Sequence, residues 1–314
     1  MKLITLVPVK NEEWILRLTL RNFSLFSDEI LLLNDGSADA TQDIARTFPK
    51  VTLIDFETDE THVNMSKRRN LLLKKGRELG GTHFVMLDAD ECFSFSFTQR
   101  IQKEIASLSP GQSLCLPWIF VFNQNSEPVI DVQQHTIFKD FIFCDDKISF
   151  YTDAALSESR TPAKLENCIR ITEKGMAVFH FQYFSEKRNQ LKQIWYRCNE
   201  LLEGNRSPRR INATYNFTKH FRPRLPVAIE DAFIKENISA ISLSGDDLMF
   251  SRIESLFERK GVDFFEPLDI WYLPETHNYF ISHVHREPRI QTFPYALIVL
   301  NSIKNAIINR VRKG

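Results

Sequence analysis

The chain has 314 residues, enough for one large core with a smaller appended region, and its 40 Lys plus Arg balance 40 Asp plus Glu, so no net field points to nucleic acid. No stretch approaches the roughly 18 apolar residues of a membrane-spanning helix, and the apolar start Leu3–Val7 is too short for the core of a secretion signal. Five scattered cysteines contain no Cys-x-x-Cys pair that would suggest a zinc or dithiol centre. These features together point to a reducing, cytoplasmic setting.

The elements follow a regular alternation. Leu3 to Val7 reads as a strand closed by Pro8, and Asn11-Glu12-Glu13 opens an acidic first helical turn with Trp14 and Leu18 on its apolar stripe. Glu29 to Leu33 is a second strand, ending at Asn34-Asp35-Gly36-Ser37. Asp39 and Gln42 have capping-box spacing before a helix that carries Ile44, Ala45 and Phe48. Val51 to Phe56 is a third strand. Ser66 to Leu79 is a basic helix ended by Gly80-Gly81. Phe84 to Leu87 is a fourth strand, apolar throughout as in a parallel sheet, and it stops at Asp88-Ala89-Asp90. Four strands alternating with three helices in 90 residues predict a doubly wound, mostly parallel sheet. Ligands of such sheets bind beyond the carboxyl ends of the strands, where Asp35 and Asp88 would lie. Two hard carboxylates there suit Mg²⁺ or Mn²⁺ carrying a diphosphate; the plainer reading is a solvated turn after a strand. The plainer readings of Asp35-Gly36-Ser37 and of Lys67-Arg68-Arg69 are a turn and a solvated basic face.

Val7-Pro8-Val9-Lys10-Asn11-Glu12, Leu33-Asn34-Asp35-Gly36-Ser37-Ala38-Asp39-Ala40-Thr41, Arg69-Asn70 and Leu87-Asp88-Ala89-Asp90, in this order and spacing, resemble the family 2 glycosyltransferases with the GT-A fold. The resemblance covers residues 1 to about 95. It implies a nucleotide-sugar site in which Pro8, Val9 and Glu12 border the base, Asp35 holds the base or ribose, and Arg69 with Lys67 lies near the nucleotide. Asp88 would face the ribose, and Asp90 a Mn²⁺ or Mg²⁺ ion bridging the diphosphate. Asn34 departs from the family's usual Asp, while Asp35 is kept. A "His-Glu" segment of such enzymes corresponds to Ser157-Glu158, which makes Glu158 the expected general base despite Ser157 in place of His, with Asp153 as the runner-up.

Beyond residue 95 the sequence is less regular. Gln99 to Ala106 reads as an amphipathic helix, Ser113 to Phe122 as a strand or two interrupted at Pro117, and Phe138 to Tyr151 as strands with an acceptor loop. His180, inside the apolar strand Ala177–Tyr183, is either a core histidine bonded to a carbonyl or, as GT-A enzymes often have, a third metal ligand. Ser185 starts a helix with Leu191, Ile194, Trp195 and Cys198 inward, Lys187, Arg188, Lys192 and Arg197 on the other face, and Gly204 at its end. Residues 205 to 228 are basic and proline-interrupted, predicting an irregular connector or lid. Asp246 opens another amphipathic helix, and Phe264 to Leu273 reads as a strand. Tyr295 to Val311 reads as a basic-ended helix that would pack on its own protein, on a second subunit, or on an anionic membrane.

The expectation is therefore a GT-A α/β domain over residues 1–204, with a nucleotide-binding half at 1–95 and an acceptor half at 96–204. A C-terminal, mainly helical extension at 205–314 would serve as a lid, an oligomerisation region or a membrane-surface region. The implied activity is metal-dependent, inverting hexosyl transfer from a nucleotide sugar, UDP-linked by default, to a saccharide or lipid-linked glycan in surface polysaccharide or lipopolysaccharide synthesis. No nucleic acid partner is implied. The location would be cytoplasmic, with peripheral contact at the inner face of the membrane. A nucleotide-sugar-binding protein with a degenerate site is the alternative. A nucleotidyltransferase is disfavoured because Pro8-Val9-Lys10-Asn11 lacks glycine, and a processive synthase because spans and a Gln-x-x-Arg-Trp motif are missing.

Overall fold

The computed structural model describes residues 1–56, 65–134, 136–152, 160–162, 167–216, 221–243 and 245–289. It begins with the predicted alternation: β1 (Leu3–Val9), α1 (Glu13–Ser24), β2 (Glu29–Asn34), α2 (Thr41–Arg46), β3 (Val51–Asp55), α3 (Met65–Glu78) and β4 (His83–Met86). These four strands are parallel, in the order β3-β2-β1-β4. Alternation of side chains along each strand explains why the runs are apolar throughout. Leu3, Val7 and Val9 join Ile30, Leu32 and Val85 beneath Leu16, Leu20 and Phe23 of α1. Ile4 and Leu6 join Leu31, Leu33, Phe84 and Met86 beneath Leu72 and Leu73 of α3. One sheet thus separates two helical layers, which makes this an α/β fold.

The rest of the sheet is mixed. It is built from β5 (Glu91–Phe93), the short helices α4 (Phe95–Thr98) and α5 (Ile101–Ile105), β6 (Gln112–Gln124), β7 (Glu127–Asp131), β8 (Ile137–Cys144), β9 (Asn167–Arg170) and β10 (Val178–Tyr183). β8 runs antiparallel between β4 and β6. β6 forms a hairpin with β7 through Asn125-Ser126, both at positive φ as a type I′ turn requires. On its other edge β6 pairs in parallel with β9 at Gln112–Cys115 and with β10 from Trp118. The predicted interruption at Pro117 does not occur. Pro117 falls where β9 has ended and β10 has not begun, so its missing N–H breaks no ladder on that edge.

The chain divides into two compact units, residues 1–186 with 222–248 and residues 187–221 with 249–314. The first unit also holds β11 (Pro226–Ala228), which extends the sheet beside β7, and α8 (Ala232–Asn237). Most of α6 (Glu186–Glu203) and α9 (Asp246–Lys260), together with α7 (Pro208–Tyr215) and α10 (Pro274–Val284), belong to the second unit. Phe257 is central to that unit's core, packing on Phe265 and Trp271 with ring centroids 5.3 and 5.7 Å away.

Three expectations change here. Part of the stretch expected to be irregular, residues 205–228, is helix α7, started by Pro208, whose fixed φ suits a first helical turn. Phe264 to Leu273 is a 3₁₀ turn at Val262–Phe265 and an irregular run rather than a strand. The side chain of Asn212 bonds that run in place of a ladder, donating to the Pro267 carbonyl at 3.0 Å and accepting from the Asp269 amide at 2.8 Å. Arg197, expected on the solvent face of α6, is fully buried and donates to the Asp269 carbonyl. Among the described residues no helix is long and apolar enough to cross a membrane. The C-terminal segment Tyr295–Val311 lies outside the described residues.

Candidate active site

The carboxyl ends of β1, β2 and β4 form one edge, and the loops there are tied to each other. Asn11 sits at φ 55°, a left-handed conformation that Asn tolerates. Its amide donates to Ser37 Oγ at 3.0 Å, and its Oδ1 accepts from the Ala38 amide at 2.8 Å. The Glu12 amide donates to Thr41 Oγ1 and the Glu13 amide to Asp39 Oδ2. The capping box expected from Asp39 and Gln42 is not formed: α2 starts at Thr41, Asp39 bonds the Glu13 and Thr41 amides, and Gln42 bonds Arg46. Asn34 accepts from the Ser37 amide and donates to Asp55, so its amide side chain serves both as acceptor and as donor where a carboxylate could only accept. Gly36, at φ +64°, makes the turn, and a Cβ there would meet nothing within 4 Å.

Asp35 is 5% exposed. Its Oδ2 accepts from Arg68 at 2.5 Å and lies 4.0 Å from Lys10 Nζ. Lys67 is exposed on α3, whereas Arg68 and Arg69 lie on the buried face with Leu72 and Leu73. Pro8 is half-buried and Val9 buried at the end of β1. Glu12 accepts from Trp14 Nε1 at 2.5 Å.

The two carboxylates after β4 take different partners. Asp88 Oδ1 accepts from Arg160 Nη1 at 2.6 Å and stands 4.0 Å from Arg69. Burial opposes its ionisation, but the charges of Arg160 and Arg69 outweigh this and hold the carboxyl below its ordinary range. Asp90 Oδ2 lies 3.4 Å from His180 Nε2, because β10 runs antiparallel to β5 and brings His180 opposite Glu91. His180 stacks on Trp118 with centroids 4.6 Å apart. Its buried Nδ1 has no hydrogen-bond partner, so among the described residues the histidine is not fixed by a carbonyl as the plainer reading expected.

Glu91 is fully buried between these two pairs. It accepts from Arg160 at 2.7 Å, from Trp118 Nε1 at 2.8 Å and from the Asp88 amide at 2.8 Å. Lys139 Nζ stands 3.4 Å above the Trp118 ring, and burial together with the Arg160 charge lowers its pKa. Asp153 and Glu158, the expected base candidates, lie outside the described residues.

A sequence model of glycosyl transferase family 2 matches residues 5–186. The chain belongs to glycosyltransferase family 2. No curated protein sequence matches it. Among solved structures it is similar to TarS 1–349 from S. aureus, at 11% identity over 85% of this chain and 83% of that one, with a TM-score of 0.42. It is also similar to glucosyl-3-phosphoglycerate synthase from Mycobacterium tuberculosis, solved with Mn²⁺, UDP and glucosyl-3-phosphoglycerate. That match has 17% identity over 38% of this chain and 44% of that one, with a TM-score of 0.29.

In this family 2 glycosyltransferase the sequence reading missed Arg68, Glu91, Trp118 and Arg160. Arg68 was legible in principle: it and Arg69 precede Leu72 and Leu73 by the helical repeat of about four residues, while Lys67 does not share that face. Glu91 and Trp118 are brought together through β10, Arg160 reaches Glu91 from a bend 69 residues on, and none of the three carries a local signal.

Proposed function

We propose that the chain transfers a hexose, with inversion, from a nucleotide sugar to a hydroxyl of a saccharide or lipid-linked glycan. UDP-sugars are the expected donors. The observation that carries the reading is the split of Asp88 from Asp90 at the edge of β4. Asp88 is held among Arg160 and Arg69, the side on which ribose and phosphate oxygens would be recognised. Asp90 faces His180, whose second nitrogen is unpartnered. The Asp90 carboxylate fits Mn²⁺ or Mg²⁺, and an imidazole nitrogen beside it favours Mn²⁺ of the two, so Asp90 with His180 would hold the ion. Bound there, a divalent cation supplies positive charge to the leaving diphosphate.

The protein's own groups carry the rest. Asp35, fixed by Arg68, accepts from the base or ribose, beside Pro8, Val9 and Glu12. Arg69 and Lys67 contribute positive charge near the nucleotide. The acceptor oxygen bonds the sugar C1 on the face opposite the diphosphate, the C1–O bond breaks, and its electron pair leaves with the nucleotide. The acceptor proton goes to a carboxylate, Glu158 by resemblance and Asp153 as the alternative. Residues 1–204 would hold donor and acceptor, and residues 205–314 would act as a lid, in oligomerisation or at a membrane surface. The setting proposed is cytoplasmic synthesis of surface polysaccharide or lipopolysaccharide, with contact at the inner face of the membrane.

A thermal-shift panel with UDP, GDP and dTDP plus Mn²⁺ tests the donor class. At 100 times its Kd a ligand stabilises by about 2.7 kcal/mol, which moves Tm by about 4 °C in a chain of this size. A shift with UDP that needs Mn²⁺ is expected; no shift with any diphosphate would contradict the reading.

A further inference from the structure

A second set of potential metal ligands lies on β6, β8 and β9. Cys115 on β6 is paired directly with Asp140 on β8, and Cys168 on β9 is paired with Ser113 of β6. Asp140 Oδ1 accepts from both thiols, at 2.7 Å from Cys115 and 3.1 Å from Cys168, and Ser113 Oγ donates to Oδ2 at 3.3 Å. The donor atoms of Cys115, Asp140 and Cys168 all fall within 4.8 Å of one another, and among the described residues no other three His, Cys, Asp or Glu side chains do. Both cysteines are free thiols; Cys115 is buried, while Cys168 is exposed and leaves a route in from solvent.

We infer that Cys115, Cys168 and Asp140 form a site for a thiophilic divalent cation such as Zn²⁺. Two sulfurs and one carboxylate oxygen, with water as the fourth ligand, are a tetrahedral set suited to this ion and not to Mg²⁺. Zn–S bonds near 2.3 Å and Zn–O bonds near 2.1 Å place such donors roughly 3.5–4 Å apart, so the cluster needs to open by only about an ångström. Binding replaces two S–H protons, which pass to solvent, and forms two Zn–S bonds and one Zn–O bond. Because binding releases two protons, occupancy should rise with pH. The ion would clamp β9 to β6 and β8, and through β9 the chain that follows Arg160.

Co²⁺ titration of the full, chelator-treated chain under reducing conditions tests the site, because only thiolate ligands give a near-ultraviolet sulfur-to-cobalt charge-transfer band. The expected result is such a band saturating at one ion per chain, displaced by Zn²⁺ and retained in Asp90→Asn. It should vanish in the Cys115→Ser/Cys168→Ser double variant. If that variant fails to fold, Asp140→Asn keeps both thiols and should bind Co²⁺ about tenfold more weakly or worse. A wild-type chain without the band, a band surviving loss of both thiols, or unchanged affinity in Asp140→Asn would overturn the proposal.

Discussion

Glu91 is the residue on which the site's electrostatics turn. A fully buried carboxylate is tolerable only when its oxygens are hydrogen-bonded, and here Arg160 and Trp118 donate to Oε1 and the Asp88 amide to Oε2. Replacing Arg160 with Met would strand that charge. The expected cost is about 3–5 kcal/mol by chemical denaturation, partly restored in Arg160→Met/Glu91→Gln; a cost below about 1 kcal/mol would mean that the pair is not coupled. Arg68→Met would remove the 2.5 Å ion pair that holds Asp35, and should weaken UDP binding by calorimetry while leaving the metal affinity unchanged. At this scale the sequence was legible where position follows local pattern. Asp35, Asp88 and Asp90 fall just beyond strand ends, where the alternation of elements put them. Arg160 does not, being separated from Asp88 by 72 residues, and Cys115, Asp140 and Cys168 show no motif spacing because strand pairing alone joins them.

Among the elements, α3 and β4 meet with almost no clearance. A Cβ on Gly76 would lie 2.5 Å from Phe84 Cε1. Helix propensity favours Gly76→Ala by about 1 kcal/mol, whereas overpacking costs about 1–3 kcal/mol. Packing should win, giving a lower Tm that Gly76→Ala/Phe84→Leu recovers relative to Phe84→Leu alone; a raised Tm in the single variant would contradict the packing. In the second unit Arg286 holds Glu266 at a pKa of about 2, below its ordinary 4.5. A depressed folded-state pKa gives stability that is present above pH 4.5 and lost as pH falls toward 2. The Tm gap between wild type and Arg286→Ala should therefore close across that interval in calorimetric scans, and a gap independent of pH would refute the assignment. Elements were legible wherever period and length agreed, as in β1 to β4. They were misread where a side chain replaced a backbone ladder, as Asn212 does at Pro267 and Asp269, or where Pro117 met a gap between neighbouring strands.

For the whole molecule, the alternation of strands and helices specified the parallel half of the sheet, because each strand there is apolar on both faces. The mixed half was not legible. Antiparallel insertion of β8 between β4 and β6 is a choice of long-range pairing that composition does not encode. Yet that half supplies Trp118, Lys139 and His180, so the frame of the candidate site comes from local pattern and much of its lining from distant pairing. In the proposed function Asp90 serves a divalent cation needed for turnover of a nucleotide sugar. Mn²⁺-dependent release of UDP from a UDP-sugar panel, with and without glycan acceptors, tests it most directly in wild type and Asp90→Asn. The expected result is turnover that chelation abolishes and that Asp90→Asn lowers at least 100-fold, by about 2.7 kcal/mol, with Tm unchanged. Turnover that survives chelation, equal turnover in the two proteins, or none in either would contradict the account.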